Sequence, residues 1–328
     1  MSIRIEDLEG MQYPRDGTEL QQKDYAYFNQ QYATSSHQKD HYMNPSLIVQ
    51  PKGDHNIIKI WCIVTSGKNI QIDLTNTYKD MMVFNPTGLA NKTYVYAGVS
   101  NRLKDFNAYL TYNKLFVPHG FCAYVCVGGH AQTGGYGQLS RSFGLFGDHV
   151  RLIRMVDYNG AIIKIPRILI PISSGQFSVA VRVIQRIDLI YNPDHYLNGE
   201  PGQKNYERYL GCKLAVQIQN YGGNFARFTT NRNNGTPYSW RDSSIVQVFD
   251  CFHKTDDDSK HYAEEWAAKN DMLMNGPNGF MGDWNMSDEK VWKCYYEDED
   301  KYKKLGVQRA KADPDGTFTP NPFAVSRV

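Results

Sequence analysis

Several features that define large protein classes are missing from this chain of 328 residues. It contains no run of 18 apolar residues, so no segment has the length and hydrophobicity of a membrane-spanning helix. Residues 1–7 lack the apolar stretch of a secretory signal, and we therefore expect a cytoplasmic protein. Three Asn-x-Ser/Thr triplets, at Asn91, Asn234 and Asn285, would gain meaning only in a secreted protein.

The chain also has little net charge and few cysteines. The 36 Lys and Arg residues nearly balance the 34 Asp and Glu residues, and no dense basic stripe occurs, which excludes the electrostatic signature of a nucleic-acid-binding protein. Six cysteines, thinly spread, do not make a disulfide framework. The sequence has neither a Walker motif nor a Gly-x-Ser-x-Gly elbow, so ATPase and serine hydrolase functions have no support.

The most informative part of the sequence is a glycine-rich segment, residues 120–148. Its glycines are interleaved with a thiol, an imidazole, a guanidinium and a carboxylate, those of Cys122, His130, Arg141 and Asp148. A backbone without Cβ atoms adopts positive φ and brings N–H groups against a bulky ligand, and successive amides form a concavity for an anion such as a diphosphate. The segment predicts a nucleotide- or flavin-binding loop, with a tight turn region of a β-rich domain as the alternative.

Two other interpretations of this segment are weaker. Four residues with zinc-binding side chains lie close together, namely His119, Cys122, Cys126 and His130. Three of them would share one face only in a helix, which the neighbouring valines and paired glycines disfavour, so we expect no metal site. A Rossmann dinucleotide loop is disfavoured because residues 135–140 lack the third glycine.

The order of residues in the glycine-rich segment is specific. It reads Gly120-x-Cys122-x-x-Val125-x-x-Gly128-Gly129-His130, then Gly134-Gly135-x-Gly137, then Ser140-Arg141-x-x-Gly144-Leu145-x-x-Asp148. This resembles the flavin-binding loop of FAD-linked oxidases of the berberine bridge enzyme type, in the vanillyl-alcohol oxidase superfamily. Other segments match that family in the family's order, and they are residues 44–51, 69–74 and 95–99 before the loop and residues 295–297, 311–318 and 321–325 after it.

The resemblance implies an α+β fold, with a two-subdomain PCMH-type FAD-binding domain and a partial antiparallel-sheet substrate domain. We expect a loosely structured N-terminal lead-in at 1–42, the FAD-binding domain at 43–185, a reduced substrate domain at 186–290, and a C-terminal segment at 291–328 that returns to the FAD-binding domain. Hydrophobic periodicity predicts elements that fit this division. The expected strands cover 70–74, 93–97, 150–156, 161–165, 213–219 and 243–249, and the expected helices cover 101–110 and 259–269.

By resemblance the cofactor is FAD, and Cys122 corresponds to the cysteine that bonds to the flavin C6 atom. Val125 corresponds to the position that controls oxygen access, where a small valine accompanies oxidases. A buried structural cysteine and plain strand packing are the alternative roles of these two residues. The expected cofactor-binding residues are Cys122, Val125, Gly128, Gly129, His130, Gly134, Gly135, Gly137, Asp148 and Asn321.

Expectations for substrate binding and catalysis also follow from the resemblance. The family's polar substrate-side positions correspond here to Gln217, Gln219, Tyr238 and Arg241, although strand residues on a solvated face give the same pattern. The family's usual general base is a tyrosine shortly before its C-terminal signature, and no residue of this chain matches it position for position. The nearest candidates, and our predicted catalytic residues, are Asp283 and Tyr296.

The chain departs from the family in two loops. The first diphosphate loop, expected between Ile57 and Asn69, is missing together with its flavin-linking histidine, so a histidyl link is not expected. Of a second glycine-rich loop, only residues 172–178 are left. Each lost hydrogen bond to a charged phosphate oxygen would cost FAD binding about 1.5–3 kcal/mol.

The sequence thus predicts a shortened FAD-dependent oxidoreductase that oxidises an alcohol carbon of a carbohydrate or secondary metabolite by hydride transfer to flavin, with oxygen as acceptor. Its partners would be the small-molecule substrate and oxygen, without nucleic acid and without a membrane span. The alternative is a degenerate or truncated family member with weak or no FAD binding and no catalysis. The two reduced loops favour that alternative, and the intact glycine-rich segment opposes it.

Overall fold

The structure is a computed structural model. It describes residues 8–29, 44–64, 70–85, 93–157, 159–166, 212–223, 225–232, 238–254, 256–275, 286–296 and 298–314, together with residues 316 and 325.

A three-stranded sheet lies near the N-terminus. Strand β1 (Gly10–Pro14) pairs antiparallel with β2 (Leu47–Pro51), which in turn pairs parallel with β3 (Ile70–Ile72). Every residue of β2 is buried, as expected for a central strand covered on both faces. Helix α2 (Asp54–Val64) connects β2 to β3, and Ile60 on this helix joins the core cluster beneath the sheet.

The lead-in is better ordered than its polar composition predicts. In addition to β1, it contains helix α1 (Glu19–Phe28). Thr18 begins this helix with a capping box, in which its hydroxyl accepts from the Gln21 N–H and the Gln21 amide oxygen accepts from the Thr18 N–H. The expectation of loose structure is therefore wrong for residues 8–29, because β1 gains its hydrogen bonds from β2, more than thirty residues away.

The next elements carry the glycine-rich segment. Strands β4 (Met81–Phe84) and β5 (Tyr94–Ala97) pair antiparallel, and helix α3 (Leu103–Tyr112) follows. The glycine-rich segment contains three short helices, α4 (Val127–Gln132), α5 (Ser140–Phe143) and α6 (Phe146–His149). A hairpin of β6 (Leu152–Val156) and β7 (Ile162–Pro166) then completes this region.

Helix α4 differs from the sequence expectation, which placed no helix over this stretch. Val127 is buried in a cluster with Leu103, Phe106, Leu110 and Phe146, so tertiary packing outweighs the poor helix propensity of the paired glycines. The same cluster attaches the glycine-rich segment to the buried face of α3.

The second region is built on a long antiparallel hairpin of β8 (Cys212–Asn220) and β9 (Ile245–His253). A short helix, α7 (Arg227–Thr230), lies between the two strands in the chain, and α8 (Asp257–Asn275) follows β9 and packs on the hairpin. Near the C-terminus, α9 (Glu289–Tyr295) and α10 (Glu299–Ala312) share an aromatic cluster.

These elements form an α+β fold, as the sequence predicted. The expected strands and helices are present in the described residues, with ends that differ by a few positions. Within that part of the chain, no helix is both long and apolar enough to cross a membrane. The division into four domains stays a prediction.

Candidate functional site

The front of the glycine-rich segment is held against the start of α3. Residues 102 and 126 form an antiparallel bridge. The Val127 N–H donates to the Asn101 carbonyl oxygen at 2.8 Å, and the Gly128 N–H donates to the Val99 carbonyl oxygen at 2.9 Å. These backbone bonds fix residues 121–129 on one side of the fold without using their side chains.

Those residues present an exposed surface, which we call the rim and define as Phe121, Cys122, Tyr124, Val125 and Gly129. Phe121 is 59% exposed and Tyr124 is 69% exposed, which is unusual for large apolar side chains in sequence proximity. The Cys122 thiol is free and also exposed. The rim therefore offers an apolar surface with one accessible nucleophile.

Two cations border the rim. The guanidinium carbon of Arg102 lies 5.6 Å from the centre of the Tyr124 ring, and the Lys104 ammonium lies 5.1 Å from it. Both distances fall within the range of a cation–π contact. The cations give this edge of the rim a positive charge suited to an anionic group.

The paired glycines at the start of α4 face in different directions. A Cβ on Gly128 would lie 2.8 Å from the Cβ of Val99, so close packing requires glycine there. A Cβ on Gly129 would meet no atom within 4 Å. Gly129 thus borders open space, where a planar ligand could approach the backbone.

His130 points away from the rim into the protein. Its Nε2 atom accepts a hydrogen bond from the Gly120 N–H at 2.9 Å, so the neutral ring carries its proton on Nδ1. Burial, together with a smaller contribution from the neighbouring His119, lowers the pKa of His130 to about 4. His130 is therefore neutral near pH 7 and closes the loop between Gly120 and α4.

The rear of the segment is also interior. Gly135 has a φ of +70°, and a Cβ there would lie 2.6 Å from the Cβ of Phe146. The Gly134 carbonyl oxygen accepts from the Gly147 N–H at 2.9 Å. A Cβ on Gly137 would lie 2.1 Å from the carbonyl oxygen of His119, with no room for a side chain. These three glycines pack the segment on itself.

Asp148, at the end of the segment, forms a buried ion pair with Arg241 of the second region. The two guanidinium nitrogens of Arg241 donate to the two carboxylate oxygens at 2.7 and 3.1 Å, and both side chains are at most 1% exposed. Asn231 and the Leu145 N–H donate to the same carboxylate. Burial alone would raise the pKa of Asp148, but the hydrogen bonds and charge of Arg241 hold that pKa below its ordinary value.

The Arg241 guanidinium also lies between two aromatic rings, 5.2 Å from the centre of Phe228 and 5.6 Å from that of Tyr238. It therefore joins the glycine-rich segment to the start of β9. A second hydrogen bond joins the same two regions, because Arg141 Nε donates to the Gly222 carbonyl oxygen at 2.9 Å. Sequence reasoning missed this joint because its partners lie 93 and 81 residues apart.

The predicted substrate residues occupy interior positions where the structure describes them. Tyr238 is buried beside Gly134, and burial raises its pKa. Gln219 is buried, and its amide oxygen accepts from the Tyr221 hydroxyl. Arg241 is engaged with Asp148. The side chain of Gln217 lies outside the described residues.

Of the predicted catalytic residues, only Tyr296 is described, because Asp283 lies outside the described residues, as does Asn321 of the cofactor set. Tyr296 is 1% exposed and packs against Tyr302 at 5.3 Å between ring centres. Its hydroxyl has no hydrogen-bond partner among the described residues. Burial raises the pKa of Tyr296, and Tyr302 adds to the rise, so the phenol keeps its proton at neutral pH.

An open cleft of about 390 Å³ lies behind the segment. Its lining residues are Ser142, Phe143, Asp148, His149, Arg151, Arg227 and Asn231. The only carboxylate among them is that of Asp148, which Arg241 already neutralises. The cleft is therefore cationic, and no sequence motif joins its two arginines, Arg151 and Arg227.

Comparison with known proteins identifies the class. Residues 46–166 match the model of the FAD binding domain family. Berberine bridge enzyme-like 7 of Arabidopsis thaliana is 38% identical over 76 residues, which are 23% of this chain and 14% of that protein. Tetrahydroberberine oxidase of Argemone mexicana is 48% identical over 52 residues, 16% of this chain and 10% of that protein. The matches thus span about a seventh or less of the length of these relatives.

Solved structures agree in fold. The grass pollen allergen Phl p 4, described as having glucose dehydrogenase activity, superposes with a TM-score of 0.65 at 12% identity, covering 97% of each chain. Xylooligosaccharide oxidase from Myceliophthora thermophila C1 gives a TM-score of 0.60 at 14% identity, covering 87% of this chain and 92% of the other. Berberine bridge enzyme from Eschscholzia californica gives 0.62 at 13% identity, covering 94% and 99%.

The fold and the glycine-rich segment therefore define an α+β protein with an FAD-binding domain. Over part of its length the chain is similar to berberine bridge enzyme-like proteins, which confirms the resemblance seen in the sequence.

Proposed function

We propose that the protein is an FAD-dependent oxidoreductase that oxidises an alcohol carbon of a carbohydrate or secondary metabolite by hydride transfer to flavin, with oxygen as the electron acceptor. The observation that carries this proposal is the rim, where Cys122, Val125 and Gly129 are exposed together beside open space. FAD, when bound, would supply the two-electron acceptor that no side chain provides.

The residues of the rim fit FAD in shape and charge. Phe121 and Tyr124 expose apolar area that a planar ring system would cover. Arg102 and Lys104 beside the rim would attract the anionic diphosphate and offset part of what the reduced loops no longer supply. The access of small molecules to the ring face would depend on Val125, since it is partly exposed at the rim.

Cys122 is the residue we propose as a single covalent tether. The three facts that support it are its free thiol, its exposure and its place in the motif. Cys126 is the matched comparison, because it lies four residues on but is less exposed, and burial raises its pKa. A tether through a histidine is not proposed.

The carbohydrate class has support from two structural neighbours that are named for oligosaccharide oxidation, chitooligosaccharide oxidase and xylooligosaccharide oxidase. Within this chain, Tyr238 and Arg241 are buried. We therefore propose that they support the substrate-binding residues from the protein interior and do not contact the substrate themselves. Gln217 and Gln219 stay predicted contacts.

We propose that the general base, which accepts the proton of the substrate hydroxyl, is either Asp283 or Tyr296. A phenol whose pKa is raised gives up its proton less readily, so little of Tyr296 would be in the basic phenolate form at neutral pH. The test is the pair Asp283→Asn and Tyr296→Phe in an oxidase assay. A loss of kcat on the order of a hundredfold or more in one variant alone would assign the base.

The second candidate function is a degenerate member that binds FAD weakly or not at all. One observation favours it. Gly134, Gly135, Gly137, His130 and Asp148 all make internal contacts, so folding alone accounts for their presence.

The deciding experiment is an absorbance spectrum of the purified protein from about 300 to 550 nm, repeated on the acid-precipitated pellet. Flavin absorbance that stays with the pellet, is lost in Cys122→Ala and survives in Cys126→Ala would support a cysteinyl tether. Absorbance released into the supernatant would mean dissociable FAD. A colourless protein that gains no absorbance with added FAD would overturn the enzyme proposal and leave the second candidate.

A further inference from the structure

A pair of thiols lies at the open end of the β8–β9 hairpin, away from the glycine-rich segment in the chain. In the antiparallel register Cys212 is opposite His253, and Leu214 is opposite Cys251. Cys212 and Cys251 are therefore diagonal neighbours on the same face of the hairpin, because side chains two positions apart on a strand share a face. The sequence separates them by nearly forty residues and gave no sign of the pair.

The two thiols are in direct contact. The Cys251 thiol hydrogen-bonds to the Cys212 sulfur. Cys212 in turn donates to the Ser259 carbonyl oxygen at 3.4 Å, near the start of α8. Cys212 is 4% exposed, whereas Cys251 is only half-buried, and neither forms a disulfide. The Cys251 thiol is thus accessible from solvent, and the Cys212 thiol is buried next to it.

A metal site does not explain the pair. A structural zinc site needs four ligands. Within the described part of the chain, no group of three or more His, Cys, Asp or Glu residues is arranged to hold a metal. Simple apolar packing explains a buried cysteine, but it does not require a second thiol in contact with the first.

We propose that Cys212 and Cys251 are an oxidisable dithiol, which a peroxide converts into a disulfide across the β8–β9 hairpin. The Cys251 thiol loses its proton, and the thiolate attacks one peroxide oxygen; the O–O bond breaks, a sulfenic acid forms, and the departing hydroxide takes up the proton as water. The Cys212 thiolate then attacks the sulfenic sulfur, the S–O bond breaks, and a second water leaves as the S–S bond forms. Two thiols and one hydrogen peroxide give one disulfide and two waters, so the peroxide is the two-electron oxidant.

The roles follow from exposure and environment. Cys251 reacts first because it is the accessible thiol. Cys212 is shielded, and burial raises its pKa, with Asp256 adding to the rise, which suits a resolving thiol that acts only when a sulfenic acid lies beside it.

The position of the pair permits closure. Diagonal neighbours in an antiparallel pair have Cβ atoms somewhat less than roughly 7–8 Å apart, and a disulfide needs about 3.5–4.5 Å. Cys212 is the first residue of β8, and Cys251 lies two residues from the end of β9, so the strand ends must move together. Closure removes the Cys212 thiol proton and with it the hydrogen bond to Ser259.

The proposal does not depend on the proposed function, because the oxidant in its test is added. Native protein would be treated with a small excess of hydrogen peroxide, blocked with an alkylating agent and digested for mass spectrometry. We expect a linked peptide pair containing Cys212 and Cys251, which dithiothreitol separates. Dimedone should label Cys251 in a Cys212→Ser variant.

Two controls keep the outcome clear. Cys122→Ser should leave the linked pair unchanged, because Cys122 is exposed and lies in a different region. Mapping of the unmutated protein does not rely on any variant folding. Recovery of Cys212 and Cys251 as free thiols while Cys122 is oxidised, or linkage of either residue to another cysteine, would overturn the proposal.

Discussion

The front and the rear of the glycine-rich segment each contain a pair of adjacent glycines but have different surroundings. In the front, residues 121–129, the side chains of Cys122 and Val125 are exposed and the backbone of Gly129 borders open space. In the rear, residues 134–148, glycines and Asp148 are buried and make internal contacts. Glycine content alone therefore does not indicate contact with a ligand.

The difference also separates two reasons for a motif to exist. The rear secures the fold, because its glycines allow close packing and its carboxylate joins the second region. In the front, Val127 and Gly128 also pack against the fold, but the residues of the rim are exposed and contribute little to that packing. Substitutions in the rear should change stability first, whereas substitutions in the rim should change cofactor binding first.

The largest effect is expected from Asp148→Asn. This change leaves the Arg241 charge buried without its counterion, which costs about 3–5 kcal/mol in the free energy of unfolding. Urea unfolding measures it. The control is Asp242→Asn, since the Asp242–Arg232 pair is exposed and worth about 0–1 kcal/mol. Equal losses in both variants would contradict a structural role for the buried pair.

The pH dependence of His130 should come next. Its folded pKa of about 4 lies below the ordinary value of 6.5, so between these values the unfolded chain binds more protons than the folded protein. Stability is therefore unaffected above about pH 7, falls as the pH drops through 6.5, and levels off below about 4, with a total loss of about 3 kcal/mol.

The measurement is urea unfolding at several pH values from 7 to 4.5. His130→Gln, whose amide oxygen can still accept from Gly120, should show a shallower decline over this range. His149→Gln is the control, because His149 is exposed. A wild-type slope in the His130 variant would show that the imidazole does not control acid stability.

Gly135→Ala should have a smaller effect than the ion pair. The φ of +70° places an alanine in the left-handed region at a cost of about 1–2 kcal/mol, and its Cβ would crowd Phe146. We expect a loss of about 2 kcal/mol or more in the free energy of unfolding. If the variant unfolds like the wild type, the rear glycines are not needed for packing.

The fold was largely predictable from local pattern. The β8 and β9 strands followed from β-branched residues in alternation, and α3 followed from helical periodicity. The pattern failed where distant contacts decide the structure. Strand β1 has glycine and proline at its ends and depends on pairing with β2, and α4 forms because Val127 enters a core made by α3.

The candidate site was predictable only as a set of residues. The motif located the segment, but it could not tell Gly129, which borders open space, from Gly135, which is packed against Phe146. It also could not place Arg241 behind Asp148. Such distinctions depend on which atoms surround a residue, and one sequence does not contain that information.

The smallest change in stability is expected from Gly129→Ala, and it should have the opposite sign. Gly129 lies in α4 and its Cβ would meet no protein atom, so alanine should add about 0.5–1 kcal/mol to the free energy of unfolding through its better helix propensity. If FAD covers the rim, the same methyl group would crowd the cofactor and cost about 1–3 kcal/mol of binding, roughly tenfold or more in Kd.

Flavin fluorescence titration and urea unfolding on the same preparation would measure both quantities. Higher stability with weaker FAD binding would place the cofactor on the rim. The Gly135→Ala variant should instead lose stability first, with a smaller effect on FAD binding. Higher stability with unchanged FAD binding would move the cofactor away from Gly129. In that case Cys122, seven residues earlier on the same surface, would lose its support as a tether.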